Sequence, residues 1–244
     1  MSSRASTTRF TDRADSYKKH RPGYPPKVFE VMFHGLDDPA TLSVADIGAG
    51  TGISTALLAQ RVAVVHAVEP NAAMRSHAVQ LPNVSWHNTT AEETGLPDAC
   101  VDVAAAFQAF HWFDAPRAFA EFCRIARRRI ALVQYERDER SAFSKAYGDI
   151  VRRYATDDTE ALRLRALERF SQLAGERLQR TNVPFAQTLT LASLLGRVNS
   201  SSYLPSAGPA AAALLREIYD VFATAQRDGS VEMAMHVHIV IAQV

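Results

Sequence analysis

Residues 44–52 read V-A-D-I-G-A-G-T-G, a short and mostly apolar run followed by glycine at positions 48, 50 and 52. This order predicts a buried strand, a tight glycine turn and a helix that begins near Ile53. Glycine allows positive φ and lets a ligand approach the backbone without a Cβ in the way. The free N–H groups of a helix start can also bind an anionic group. The segment therefore predicts a nucleotide-type binding site, with a plain β–α turn as the alternative.

The spacing of the glycines differs from two common phosphate-binding motifs. The dinucleotide fingerprint is G-x-G-x-x-G, whereas the third glycine here comes one residue early, and a P-loop requires a lysine where this chain has Ile53. Asp46 precedes the first glycine, and its carboxylate would repel a pyrophosphate but attract an ammonium group. The turn therefore favours a ligand with an amino acid head, and a nicotinamide-dependent oxidoreductase is the alternative.

A second apolar run, residues 62–68, is closed by Glu69. An acid at this position can accept hydrogen bonds from both hydroxyls of a ribose. It could equally cap the next helix, since Pro70 and Asn71 follow, but the glycine turn upstream favours the ribose. Met74 falls on the first turn of that helix. Its side chain could contact a ligand, fill the core, or do both.

A third apolar run, residues 101–107, predicts a strand buried on both faces, and the sequence Q-A-F-H-W-F-D follows it. Ligands in open α/β sheets bind beyond the carboxyl ends of the strands. Gln108, His111 and Trp112 are therefore candidates for function. The alternative is that the aromatic residues only attach a loop to the core.

Taken in order, D-I-G-A-G-T-G at 46–52, V-E-P at 68–70 and V-D-V-A-A-A-F-Q-A-F-H-W-F at 101–113 resemble class I S-adenosylmethionine (SAM)-dependent methyltransferases. More narrowly, they resemble the small-molecule group that includes trans-aconitate and juvenile hormone acid methyltransferases. The resemblance covers roughly residues 10–135. It implies a three-layer, Rossmann-like α/β sandwich whose seven-stranded sheet is mostly parallel, with an antiparallel last strand and a helical cap. Local patterns alone indicate only a three-layer α/β fold.

The resemblance also implies the site. The segment Y-x-x-x-R-P-x-Y-P at 17–25 closes over the cofactor, with the arginine at the methionine carboxylate and the first tyrosine near the sulfonium. From the residues alone, this segment could be a surface arm fixed by two aromatic rings. The predicted cofactor-binding residues are Tyr17, Arg21, Asp46, Gly48, Ala49, Gly50, Glu69, Pro70, Met74, Thr90, Ala91, Glu92, Phe107 and Gln108. His111 and Trp112 are the predicted catalytic pair, with His111 acting either as a base or, more simply, as the group that orients the acceptor.

Composition limits the partners. The 27 basic and 26 acidic residues give a formal charge of +1, so nothing favours nucleic acid or an anionic membrane surface. The two cysteines and the histidines lack metal-ligand spacing, so no metal is expected. There is no long apolar run and no leader pattern near Met1, which predicts a cytoplasmic protein. We expect a small-molecule methyl acceptor, and a monomer or homodimer.

The chain is expected to form one methyltransferase domain over residues 1–244. It divides into an N-terminal lid segment (10–36), a SAM-binding core (37–135), a helical cap insertion (136–184) and the C-terminal part of the sheet (185–244). Strands are expected at 41–47, 62–68, 84–87, 101–107, 130–135, 185–191 and 233–244. Many relatives carry Lys-Pro-Gly-Gly before the fifth strand, where this chain has arginines at 127–129, so the start of that strand is open.

The expected reaction is methyl transfer from SAM, with S-adenosylhomocysteine as the product, to a small-molecule nucleophile. A carboxylate or hydroxyl oxygen is favoured over nitrogen or carbon. Two alternatives belong to other classes: a nicotinamide-dependent oxidoreductase, and a protein that binds SAM or its product without chemistry.

Overall fold

The computed structural model describes residues 21–244. Seven strands form one sheet in the order β3-β2-β1-β4-β5-β7-β6. The strands are β1 (Ser43–Ile47), β2 (Val64–Val68), β3 (Val84–His87), β4 (Val101–Phe107), β5 (Ala126–Arg137), β6 (Leu178–Thr190) and β7 (Ser230–Gln243). The strands from β3 across to β5 pair in parallel, whereas β7 is antiparallel to both of its neighbours. The expected mostly parallel sheet with an antiparallel last strand is confirmed.

Within residues 21–244 the helices are α1 (Pro26–Phe33), α2 (Ile53–Ala59), α3 (Ala72–Ser76), α4 (Ala115–Ile125), α5 (Ala142–Tyr154), α6 (Thr159–Ala174), α7 (Leu191–Asn199) and α8 (Gly208–Ala225). Short 3₁₀ helices lie at Pro39–Thr41, Phe110–Trp112 and Gly175–Arg177. None of the helices in this part of the chain is long and apolar enough to cross a membrane.

The sheet is the middle of three layers, as the doubly buried strand predicts. Along β4, Val103 and Ala105 belong to one apolar cluster, and Ala104 belongs to the other. This alternation follows from the two-residue period of a strand. The first cluster joins the sheet to α1, α2, α5, α7 and α8, and the second joins it to α4 and α6.

Most strand boundaries agree with the sequence prediction within about three residues, and two strands differ by more. β5 begins at Ala126, so the arginines at 127–129 form part of the strand and not a turn. Arg129 is buried there because its guanidinium donates to the carbonyl oxygens of Met32 (2.8 Å) and His34 (3.1 Å) at the end of α1. It thus satisfies carbonyl groups that a helix end leaves open.

The second difference is β6. Residues 178–184 were expected to be helical, yet they are the first half of a strand that pairs with β7 along its whole length. β6 is the edge of the sheet and most of its residues are exposed, and its first half, residues 178–184, lacks the alternating apolar pattern that predicted the strand at 185–191. The pairing with β7 decides its structure, and a short sequence window does not contain that partner.

Candidate active site

A cavity of about 280 Å³ lies beyond the carboxyl ends of β1, β2 and β4. Its wall is built from the turn after β1, the residues after β2, the loop near residue 91, the residues after β4 and the segment before α1. The predicted site residues that line it are Arg21, Gly48, Ala49, Gly50, Glu69, Pro70, Met74, Thr90, Ala91, Glu92, Phe107, Gln108 and Trp112. Tyr17 lies outside the described residues.

The glycine turn brings the end of β1 against the segment that follows β4. Gly48 has φ +76°, and a Cβ at this position would lie 2.5 Å from Cβ of Ala109 and 2.8 Å from the Phe113 ring. The N–H groups of Gly48 and Ala49 both donate to the carbonyl of Val68, at 2.8 and 3.1 Å. Only glycine fits this close approach of two chain segments.

Glu69 is held by the backbone on both sides of the cavity. Its Oε2 accepts from the Gly50 N–H (3.0 Å), and its Oε1 accepts from the Asn71 N–H (2.8 Å). Burial raises the pKa of this carboxyl group. Each carboxylate oxygen has a second lone pair, so both can accept a further hydrogen bond. The side chain is therefore oriented in advance for a ligand that carries two adjacent hydroxyl groups.

Asp46 is the predicted residue that the structure places elsewhere. It is fully buried and is absent from the cavity wall; its Oδ2 accepts from the hydroxyl groups of Ser54 (2.8 Å) and Thr55 (2.6 Å). Among the described residues its Oδ1 has no hydrogen-bond partner, and burial raises the pKa of the group to about 6. Asp46 therefore ties β1 to α2, and the predicted direct contact with an ammonium group has no support in this geometry.

Among the wall residues that the predicted site did not include are Tyr24, Asn71 and Tyr135. Asn71 caps α3, because its Oδ1 accepts from the N–H groups of Ala73 and Met74. Tyr24 packs against Tyr135 and Phe107 with ring centroids 5.9 and 5.0 Å away. The position of Asn71 directly after V-E-P was a usable signal, whereas the two tyrosines meet only in the folded chain.

A second, smaller pocket adjoins the main cavity and shares Arg21, Gln108, Trp112 and Tyr135 with it. Its further wall residues are His111, Thr159, Arg163, Ser202 and Tyr203. His111, one of the predicted catalytic pair, lies here and not in the main cavity, with its ring centroid 4.6 Å from that of Trp112. Trp112 lies in the wall of both.

Gln108 stands at the junction in an unusual backbone conformation, with φ +53°. Its N–H donates to the carbonyl of Val133 (2.9 Å), and its Nε2 donates to the carbonyl of Tyr135 (3.0 Å). The Oε1 atom is buried and has no hydrogen-bond partner in the described part of the chain. A buried acceptor of this kind favours a ligand that donates a hydrogen bond.

The smaller pocket is rich in positive charge. Burial raises the pKa of Tyr203. The opposing effect is larger and comes from the charges of Arg163, Arg21 and Arg137 and from a hydrogen bond to Ser201, so that the pKa falls to about 8. Arg21 donates from Nη2 to the Ser201 hydroxyl at 3.2 Å. The main cavity, by contrast, places a carboxylate at its wall. The two spaces therefore suit different chemical groups.

Within residues 21–244 no three His, Cys, Asp or Glu side chains are close enough together to hold a metal ion.

Comparison with known proteins shows which family has this architecture. The family model described as "Methyltransferase domain" matches residues 45–133. An uncharacterized methyltransferase of Mycobacterium tuberculosis is 34% identical over 197 residues, which cover 80% of this chain and 76% of that protein.

Solved structures agree on the fold. A structure described as a type II methyltransferase from Anaeromyxobacter dehalogenans has a TM-score of 0.67 and 26% sequence identity. The alignment covers 91% of this chain and 97% of that chain. A phosphoethanolamine N-methyltransferase of Haemonchus contortus, solved with phosphomonomethylethanolamine and S-adenosylhomocysteine, has a TM-score of 0.56 and 14% identity, covering 99% of this chain and 60% of its own.

Proposed function

This chain belongs to the methyltransferase family, and from that premise we propose that it transfers a methyl group to an oxygen of a small molecule. It is a SAM-dependent methyltransferase, so the oxidoreductase interpretation of the glycine turn is no longer needed. The acceptor we propose is a carboxylate or hydroxyl compound. The sequence resemblance to the trans-aconitate and juvenile hormone acid methyltransferase group supports a small acceptor.

The wall of the main cavity suits SAM. When bound, SAM supplies a methyl group on a positively charged sulfur. Glu69 would hold the ribose hydroxyls, since both of its oxygens keep a free lone pair beside the cavity. The turn at Gly48 to Gly50 would receive the amino acid end, with the guanidinium of Arg21 at its carboxylate. Met74, Pro70 and the loop residues Thr90, Ala91 and Glu92 would surround the adenine.

We also propose that the N-terminal lid segment closes the cofactor site and that the cap insertion covers the acceptor. Two contacts support this. Arg21 and Tyr24 line the main cavity, and Arg21 reaches the loop after α7 through Ser201. Thr159 and Arg163 of α6, in the insertion, line the smaller pocket.

One observation carries the proposed function: the two spaces share a wall. The smaller pocket has a volume of only about 20 Å³, so an acceptor would present its reacting group there and would meet a donor in the main cavity beside Gln108 and Trp112. Displacement at a methyl carbon needs donor and acceptor in line and near contact, so fixed positions account for much of the acceleration. His111 and Trp112 would orient the acceptor.

The first test is calorimetric titration with S-adenosylhomocysteine on the wild type, Glu69→Ala and Glu93→Ala. We expect micromolar binding by the wild type and a loss of about 2 to 3 kcal/mol in Glu69→Ala, because hydrogen bonds to a charged group are removed. Glu93 is an exposed glutamate outside the cavity wall, so Glu93→Ala should bind as the wild type does. No heat from the wild type at roughly 1 mM ligand would contradict the proposal.

The acceptor class is tested by transfer of labelled methyl groups from SAM to a panel of carboxylic acids, phenols, enols and amines. RNA and protein fractions serve as competing acceptors. We expect labelled small molecules. Label that appears only in RNA or protein would overturn the small-molecule proposal while leaving the cofactor site intact.

A further inference from the structure

The smaller pocket contains a buried tyrosine that the motifs did not identify. Tyr203 lies between α7 and α8 and is 6% exposed, and its side chain lines the pocket together with Gln108, His111 and Trp112. Its main chain is fixed, because the Tyr203 carbonyl accepts from both the N–H (2.8 Å) and the hydroxyl (3.1 Å) of Thr156. Tyr203 therefore lines the pocket at which the acceptor would present its reacting group.

Cations approach this phenol from several elements. Their sources are the N-terminal segment (Arg21), β5 (Arg137) and α6 (Arg163), and Ser201 adds a hydrogen bond. Tyr147 of α5 and Arg197 of α7 belong to the same cluster, and His111 faces the pocket from the 3₁₀ helix after β4. Glu160 and Glu139 pair with Arg137 and compensate its charge.

Arg163 is the cation placed to act on Tyr203. Its charge makes the largest contribution to lowering the pKa of the phenol. Its Nε is buried and has no hydrogen-bond partner in the described part of the chain. The positive charge of Arg163 favours a phenolate in the same pocket, and a phenolate, unlike a phenol, can take up a proton.

We propose that Tyr203 is a catalytic residue that takes the proton of a hydroxyl-bearing acceptor, and that Arg163, in the wall of the same pocket, is the positioning residue whose charge stabilises the negative oxygen of Tyr203. This rests on the proposed function. The acceptor would be a phenol or an enol and not a carboxylate, because a carboxylate has no proton to remove. The acceptor O–H bond breaks and the proton joins the Tyr203 oxygen. The acceptor oxygen gains the methyl carbon, and the electron pair of the methyl–sulfur bond stays on sulfur.

Gln108 gives independent support for a hydroxyl acceptor. Its Nε2 donates to the Tyr135 carbonyl, so the opposite orientation of the amide would place two oxygens together. The remaining amide atom is therefore Oε1, which is buried and has no hydrogen-bond partner among residues 21–244, and Gln108 lines the pocket. An amide oxygen accepts from a hydroxyl group but repels a carboxylate oxygen.

The first arm of the test needs no acceptor. Tyrosinate absorbance is titrated between about pH 6 and pH 9 on the wild type, Tyr203→Phe, Arg163→Gln and the control Tyr219→Phe, which removes an exposed tyrosine of α8. We expect one tyrosine to ionise near pH 8 in the wild type and in the control. The step should be missing in Tyr203→Phe and shifted upward in Arg163→Gln. Coincident curves for the wild type and Tyr203→Phe would overturn the inference.

The second arm uses the phenols and enols of the acceptor panel. Tyr203→Phe should lower kcat roughly 100-fold or more, as loss of a general base does, and should remove a rise of kcat near pH 8. Its affinity for S-adenosylhomocysteine should equal that of Tyr219→Phe, which also shows that the variant folds. Methylation of carboxylates alone, or equal kcat in the two variants, would overturn the inference. Absence of S-adenosylhomocysteine binding by the wild type would instead refute the proposed function.

Discussion

The main cavity and the smaller pocket share a wall but are built in different ways. The cavity is formed largely by short continuous stretches that follow β1, β2 and β4, and backbone N–H groups orient its carboxylate, Glu69. The pocket is formed by side chains that lie far apart in the chain, among them Arg21, Arg163 and Tyr203. Backbone geometry thus determines the character of the main cavity, and side-chain charge determines that of the smaller pocket.

Burial is followed by a raised pKa at the carboxylates near the main cavity but by a lowered pKa at Tyr203 in the smaller pocket. Burial raises the pKa of Asp46 and of Glu69, and the hydrogen bonds around them do not reverse it. At Tyr203 burial also raises the pKa, but three arginines outweigh it. Burial alone therefore does not decide which groups are charged at neutral pH; the neighbouring charges do.

The largest expected effect on stability tests the main cavity, whose wall depends on backbone geometry. Gly48→Ala should lower the free energy of unfolding by about 3 kcal/mol, because the new Cβ meets Ala109 and Phe113 in addition to the strain of a positive φ. S-adenosylhomocysteine binding should be lost with it. Thermal and urea unfolding measure the first effect, and calorimetry measures the second.

Gly35→Ala is the matched control. Gly35 has nearly the same φ, +75°, but a Cβ at this position would meet nothing within 4 Å, so only the backbone strain of about 1 kcal/mol remains. Equal losses in the two variants would show that the close approach at Gly48 is not what the turn requires.

An effect on stability of similar or smaller size is expected at Asp46. The folded pKa is about 6 and the ordinary value is 3.8, so between these values the folded chain holds a proton that the unfolded chain has released. Stability contributed by this group therefore falls as the pH rises from about 4 to about 6. Asp46→Asn should be more stable than the wild type near pH 7, by up to about 3 kcal/mol, and the gain should vanish near pH 4.

Asp102→Asn tests a carboxylate whose pKa is lowered, whereas the pKa of Asp46 is raised. Burial opposes the charge of Asp102, but hydrogen bonds from Ser43 and Arg127 leave its pKa below the ordinary value. This variant should be less stable than the wild type near neutral pH, and the difference should shrink as the pH falls below about 4. Urea unfolding at several pH values compares both variants. A loss of stability in Asp46→Asn at neutral pH would show that its charge is required.

The smallest expected effect distinguishes two residues within the pocket. If His111 orients the acceptor, His111→Gln should raise the acceptor KM roughly fivefold, in line with one hydrogen bond or ring contact, and lower kcat less than that. The pH dependence of kcat should keep its shape. A kcat that loses its pH dependence in His111→Gln, between about pH 6 and pH 9, would identify His111 as the base in place of Tyr203.

Much of the fold and of the cofactor side followed from short patterns. β3 and β4 have the predicted bounds, and thirteen of the predicted site residues line the main cavity. Asp46 does not line the cavity, because its carboxylate accepts from Ser54 and Thr55 of α2, and its position beside the glycines does not show which way the carboxylate points.

The sequence by itself determined the strand, turn and helix at 44–59, the acid after β2 and the buried β4, because backbone constraints and the two-residue period act within a few residues. Only the tertiary structure decided the extent of β6, the burial of Arg129 and the pocket around Tyr203. These features depend on partners from distant parts of the chain. Charge acts through space, so the phenol of Tyr203 acquires its chemistry only when β5, α6 and the N-terminal segment bring their arginines to it.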